Sequence, residues 1–324
     1  MNNNALLLPQ RGFSLVELMI GLLLSTFLIG GVIGVYLANS STARVNDQLS
    51  QVQQASQVSF QLLSKDLQHA GYSGCANIIT NRLVNILTPP WPWWANWTGG
   101  VEGFEFATLP DFSGGIVTRV ADTDGIQLMF GRGVSAAVVA HQPLAAAPDA
   151  PLIINENAGG IVENDVVLGC DSKMAVLFKV TAVDETELRH DLAGAAPQNS
   201  TLQFGVNPAG GRFVQAISAD VGTVMALETV GWMVGARDNI NSLYRVMIIA
   251  GQVQVEEVVP NVDNFQLQYL ERAANNYVDA NLVADWTAVV AVQVTLTLSQ
   301  NSAMPMADGI RQIRQVINLR NRRQ

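Results

Sequence analysis

The longest uniform stretch of the chain lies near its start, where FSLVELMIGLLLSTFLIGGVIGVYLA, Phe13 to Ala38, carries one charged residue, Glu17. A run of that length and composition predicts a helix able to cross a bilayer. Past Ser40 the pattern changes. Val45, Leu49, Val52, Ala55, Val58 and Leu62 recur at steps of three and four among polar residues, so the helix is expected to continue in amphipathic form to about Ala70. Gly71 and Gly74 offer its C-terminal stop. Beyond Cys75 the period falls to two. Val290, Val292, Val294, Leu296 and Leu298 alternate with Ala291, Gln293, Thr295 and Thr297, as in a half-buried strand. The same alternation marks Leu202, Phe204 and Val206, then Val253 and Val255, then Phe265, Leu267 and Tyr269. The Ala- and Pro-rich stretch from His141 to Pro151 reads as a surface loop. The expected architecture is α+β: a long N-terminal helix, transmembrane and then amphipathic, packed on a mainly antiparallel β-sheet C-terminal domain.

Composition narrows the function classes. Hydrophobic residues at 49% with charged residues at 14% exclude a disordered chain. The net charge of -9 opposes the counterion release that drives nonspecific nucleic-acid binding, so no direct nucleic-acid partner is expected. Arg311, Arg314, Arg320, Arg322 and Arg323 form a basic, solvated tail. Arg11 is the charge nearest the apolar run on its N-terminal side, which leaves that end cytoplasmic and the bulk of the chain periplasmic. Cys75 and Cys170 lack CxxC spacing, which argues against a zinc site or a redox motif. In the oxidising periplasm they read as one disulfide, worth about 4 to 5 kcal/mol in the chain-entropy model; the alternative is two separate buried thiols.

An ordinary secretory signal is cleaved after its apolar stretch, beside small residues. Here a Gly12-Phe13 junction sits before that stretch, and Glu17 is fifth counting from Phe13. The string RGFSLVELMIGL resembles the type IV prepilin signature: a Gly, a cut, a Phe, then Glu at the fifth mature position ahead of an apolar helix. The resemblance implies cleavage between Gly12 and Phe13 by a membrane prepilin peptidase, which then methylates the Phe13 amine. Physics singles out Glu17 independently, because an acidic side chain at membrane depth costs about 2.5 to 3.5 kcal/mol and needs a cationic partner. The new amine of Phe13, four residues earlier on the same helical face, can supply it within the subunit or from a neighbour. An uncleaved anchor with Glu17 near the interface is the plainer alternative. Gly30, Gly31 and Gly34 either loosen the helix or allow close packing in lipid; many major pilins have a Pro where Gly34 falls.

Two further stretches, LLSKDLQHAGYSGC from Leu62 to Cys75 and INLRNR from Ile317 to Arg322, resemble PilW-type minor pilins. The resemblance tips the ambiguous stretch from Ile310 to Leu319 towards a final strand. It also implies a leader over residues 1–12, a transmembrane half-helix over 13–38, a periplasmic half over 39–71 and a β-rich periplasmic domain over 72–324.

Other candidates are weaker. Trp91, Trp93, Trp94 and Trp97 lie among prolines in TPPWPWWANWTGG, and serve either as a partner-contact surface or as rings folded back over the core. Asp122, Asp124 and Gly125 echo the start of a calcium loop without its third oxygen position or terminal Glu, so a turn before a strand from Ile126 to Phe130 is expected, and no metal. His69, His141 and His190 have no ligand-like spacing and no nucleophile motif beside them. Neither a catalytic site nor a cofactor is expected.

The resemblance implies a minor pilin that helps to prime type IV pilus assembly and to form its tip complex, serving twitching motility, adhesion or DNA uptake. Its implied partners are other minor pilins, the major pilin, the prepilin peptidase, the inner-membrane assembly platform and a tip adhesin. Two alternatives stand beside it: a pseudopilin of a type II secretion system, and a membrane-anchored periplasmic enzyme or ligand-binding protein.

Overall fold

The computed structural model describes residues 14–74, 83–144, 147–192, 194, 196–206, 212–213, 215–219, 221–299 and 311–322. The chain divides into two compact units, residues 1–54 and 55–324. One helix, α1 (Leu15–His69), supplies the described part of the first unit and opens the second. In the first unit the large apolar side chains from Leu15 to Leu37 are all at least half exposed, and this run is long and apolar enough to cross a membrane. The helix stays unbroken through Gly30, Gly31 and Gly34, whose missing side chains would meet open space.

The second unit begins with the last turns of α1, where Ser59, Phe60, Leu63, Asp66 and Leu67 are buried. That spacing of three and four defines one face. It differs from the register expected from sequence, since Val45, Leu49 and Val58 are exposed. Val52, Ala55 and Leu62 of the same stripe are half-buried, whereas the Phe60 face meets the β domain. The stop is as expected: the helix ends at His69, with Gly71 and Gly74 at φ 76° and 67°, a region open to glycine at little cost. Gly100 packs so tightly on Gly71 that a Cβ there would lie 2.5 Å from the Gly71 Cα.

Seventeen strands are present among the described residues. The first nine are β1 (Leu83–Asn85), β2 (Val101–Phe104), β3 (Thr118–Arg119), β4 (Gly125–Ala140), β5 (Leu152–Ile154), β6 (Val166–Cys170), β7 (Ala175–Lys179), β8 (Ala182–Asp184) and β9 (Glu187–Arg189). There follow β10 (Gly205–Val206), β11 (Arg212–Phe213), β12 (Thr223–Arg237), β13 (Ile240–Ile249), β14 (Gln252–Pro260), β15 (Val262–Glu271), β16 (Val289–Leu298) and β17 (Gln312–Asn318). The long antiparallel pair β4 and β12 forms the spine of a large sheet, with a register shift between Val224 and Ala226. The first residues of β12 pair with β6, which pairs with β7, and β1 runs parallel to β7. The end of β4 pairs with β5, which leads to β9 and β8. At the opposite end of the spine, β12 pairs with β13 and β3, β13 with β14, and β2 with the start of β4. Strands β15, β16 and β17 form a separate three-stranded antiparallel sheet. β10 and β11 make a small hairpin.

The local sequence accounts for the turns. Asp238 and Asn239, both at positive φ, link β12 to β13, and Ala250 and Gly251 link β13 to β14, the backbone that two-residue hairpins require. Phe265, Leu267 and Tyr269 are buried on one face of β15, as the period-two pattern predicts; on β16 Val292, Val294, Leu296 and Leu298 are buried as expected, but Val290 is half-buried and Ala291 and Thr295 of the opposite face are buried too. The stretch Leu202 to Val206 behaves differently, with strand only at Gly205–Val206. Phe204 turns inward instead, with its ring centroid 5.3 Å from Phe178 and 4.8 Å from His190. The segment after β4 is a loop, but its first residue, His141, is buried and not on the surface. The final stretch is strand, β17, as the resemblance implied. The fold is α+β, with one long helix and a mainly antiparallel β domain.

Candidate functional site

The first turn of α1 holds the one acidic residue of the apolar run. Ser14 caps it: the Ser14 carbonyl accepts the Leu18 N–H at 3.1 Å, and its hydroxyl accepts the Val16 N–H at 3.3 Å. Glu17 reaches back, its Oε2 accepting the Ser14 N–H at 3.2 Å. This is the reciprocal arrangement of a capping box, with a carboxylate at the positive end of the helix dipole. The Ser-x-x-Glu spacing that signals it is legible in the sequence, although the membrane cost of Glu17 draws attention first. Gly12 and Phe13 lie outside the described residues. Further along, Ser25 and Thr26 donate to the Leu22 carbonyl, and Ser41 and Thr42 to that of Ala38. Such back-bonding satisfies these four hydroxyl hydrogens within the helix itself.

In the second unit, the end of α1 and the C-terminal tail meet. Asn321 Nδ2 approaches the carbonyls of Gln68, His69 and Ala70 at 3.2 to 3.3 Å, so the tail donates to the C-terminal carbonyls of α1, of which that of His69 also accepts the Tyr72 N–H at 2.9 Å. Leu319 is fully buried beside it. Asp66, one turn earlier, accepts from Trp232 Nε1 at 3.0 Å and from Arg245 Nε and Nη2 at 2.7 and 3.0 Å. One helical carboxylate thereby ties α1 to both β12 and β13. No spacing in the sequence reveals this contact, because the partners are 166 and 179 residues away.

The remaining candidates sit apart from both places. Trp93 stacks on Phe112 at 4.5 Å, and Trp94 and Trp97 pack against the core around Leu168 and Leu177, so three of the four rings fold back. Trp91 is 40% exposed, with its Nε1 donating to the Leu87 carbonyl. Cys170 is buried at the end of β6 with its Sγ 3.3 Å from Thr223 Oγ1, and Cys75 lies outside the described residues. Asp122, at φ 58°, makes the expected turn. Asp124 is drawn inward, where it accepts the Leu267 N–H at 2.8 Å. Burial pushes its carboxyl up to about 7 against that hydrogen bond, with Glu105 and Asp279 adding to the rise. Tyr269 is raised well above the usual phenol range by burial and by Asp124 and Glu105. Burial lowers His141 and His190 to about 4, and His141 Nδ1 accepts the Ile217 N–H at 3.0 Å. His69 is exposed at the end of α1. Among the described residues, no group of three or more His, Cys, Asp or Glu side chains is placed to hold a metal ion.

Residues 8–33 match the family described as the prokaryotic N-terminal methylation motif. No curated protein and no solved structure matches the chain. The motif implies processing by prepilin peptidase and assembly with other pilins, and together with the apolar helix it is consistent with membrane anchoring. It points to a structural protein and supports a type IV pilin-like or pseudopilin-like identity for this chain.

Proposed function

We propose that the chain is a minor pilin of the PilW type that helps to prime type IV pilus assembly and to form the tip complex. The observation that carries this reading is the methylation motif over residues 8–33, which runs into a helix whose large apolar side chains from Leu15 to Leu37 are exposed. The meeting of Asn321 with the end of α1 adds support, because it gives both stretches of PilW-like sequence one structural task. In this reading residues 1–12 are removed, Phe13 is methylated, residues 13–38 span the inner membrane and the β domain faces the periplasm before moving to the cell-surface pilus. Partners are other minor pilins, the major pilin, the assembly platform and a tip adhesin, with Trp91 the most accessible ring of its loop. A Cys75–Cys170 disulfide belongs to the same proposal, supported by the disulfide-bonded state of Cys170.

Mass spectrometry of the membrane-extracted chain is expected to find a mature N-terminus at methylated Phe13; retained leader residues would overturn the proposal. Deletion of the gene is expected to abolish twitching. Loss of protein secretion with twitching intact would assign the chain to a secretion pseudopilus instead.

The charge and the cap of Glu17 can be separated. Glu17→Ala removes both, whereas Glu17→Gln keeps an acceptor for the Ser14 N–H. Loss of a pairing that offsets about 2.5 to 3.5 kcal/mol of membrane cost is expected to reduce filament incorporation tenfold or more in both variants, with insertion intact. Normal incorporation of Glu17→Gln would show that the cap, not the charge, is what assembly needs.

A further inference from the structure

A cavity of about 540 Å³ opens where the last turn of α1, the middle of β4 and the C-terminal tail meet, all within the second unit. Its charge runs against that of the chain, which is -9 overall. Two acids, Asp66 and Glu228, contribute to the lining, and both are engaged by Arg245. Both oxygens of Asp66 are engaged, Oδ2 by Trp232 and Arg245 and Oδ1 by Arg245. Lys65 and Arg320 also line the cavity; both are exposed, and neither has an ion-pair partner among the described residues. Arg132 adds a third cation, whose Nη2 is held by Asp165 and the Gly160 carbonyl. The lining thus carries four cations against two acids; Asp165 on Arg132 and Glu256 on Arg245 even that balance from outside, so the positive charge left to offer is that of the two exposed cations, Lys65 and Arg320, from distant parts of the chain.

The rest of the wall restricts what that charge can receive. Tyr72, 45% exposed, and Phe130, against which the His69 ring packs at 5.7 Å, supply apolar surface beside the cations. The volume is within the range of small-ligand sites and well above that of a single inorganic anion. We infer that this cavity binds an acidic peptide segment of a partner polypeptide, with one or two carboxylates set between Lys65, Arg320 and Arg132 and an adjacent apolar side chain against Tyr72 and Phe130. Arginine forks suit carboxylates, and two mobile cations allow more than one spacing of acids. The inference rests on the cavity alone and holds whether or not the partner is a pilin.

The test uses the full-length chain in detergent micelles with a dye-labelled N-acetyl-Gly-Leu-Glu-Glu-Gly amide peptide, read by fluorescence anisotropy. The glutamine analogue is expected to bind at least tenfold more weakly, and binding of the glutamate peptide is expected to weaken with added salt. Arg320→Glu with Lys65→Glu should lose tenfold or more in affinity at an unchanged melting temperature, both side chains being exposed. Equal binding of the two peptides, or unchanged binding by the double variant, overturns the inference. So does the result that phosphatidylglycerol vesicles, and not the peptide, bind in a Lys65- and Arg320-dependent way, which would reassign the cavity to a lipid headgroup.

Discussion

Replacing Asp66 with alanine is expected to lower the stability of the β domain by about 3 to 5 kcal/mol, because it strands a partly buried guanidinium and a fully buried indole N–H together. Asp66 is 2% exposed and Trp232 fully buried, so water cannot take over either bond without opening the domain. Arg245 would keep Glu228 at 3.4 Å and the more distant Glu256 at 3.9 Å, which limits the loss from above. Asp66→Asn should cost less, since an amide oxygen still accepts from Trp232. The double variant Asp66→Leu with Arg245→Met should cost less than the sum of its two singles, because an apolar pair removes the desolvation problem along with the ion pair. Chemical denaturation of the full chain, followed by tryptophan fluorescence, measures all five variants. A loss under about 1 kcal/mol for Asp66→Ala would mean that α1 is held by Phe60, Leu63 and Leu67 alone.

That ion pair also marks the limit of what the sequence discloses. The prepilin signature is local, six consecutive positions from Gly12 to Glu17, and needs no tertiary information. The β15 strand is legible because one face is buried and the other is not, which period two reports directly; β16 keeps the alternation of residue types although Ala291 and Thr295 of its second face are buried as well. The spine of the large sheet is harder to see. In β4 the first seven residues are all buried and in β12 nearly all are, so alternation vanishes where a sheet is covered on both sides. The helix illustrates a second limit. Its sequence carries two apolar registers, and only the tertiary contact chooses Phe60, Leu63 and Leu67 over the stripe that begins at Val45. Buried polar groups form a third class. His141, His190 and Asp124 have ordinary sequence neighbours, and their altered chemistry comes from burial by segments distant in sequence.

Asp124 supplies the strongest expected dependence on pH. Its N–H donates to the Phe265 carbonyl and its carboxyl accepts from Leu267 N–H, so it joins the start of β4 to β15 and links the two sheets. The neighbouring Glu105 is fixed by the Ala280 N–H at 3.0 Å, Asp279 by Gln268 Nε2 at 3.0 Å, and the Tyr269 hydroxyl lies fully buried. These acids surround a carboxyl whose folded-state value is about 7, against roughly 3.9 when unfolded. A raised acid makes the folded state bind the extra proton, so its contribution to stability declines as pH rises. Below the unfolded value both states are protonated and there is no penalty. The penalty grows through the interval between the two values and is complete above about pH 7, where it reaches on the order of 4 kcal/mol. Asp124→Asn removes that ionisation while keeping an amide oxygen for Leu267 and gaining a donor towards Glu105. The variant is therefore expected to be about 2 to 4 kcal/mol more stable than the parent at pH 8, with the difference shrinking steadily towards pH 4. Denaturation midpoints across that range decide the matter, and a gap that is constant with pH, or that widens on acidification, would show that Asp124 is already ionised where it joins the sheets.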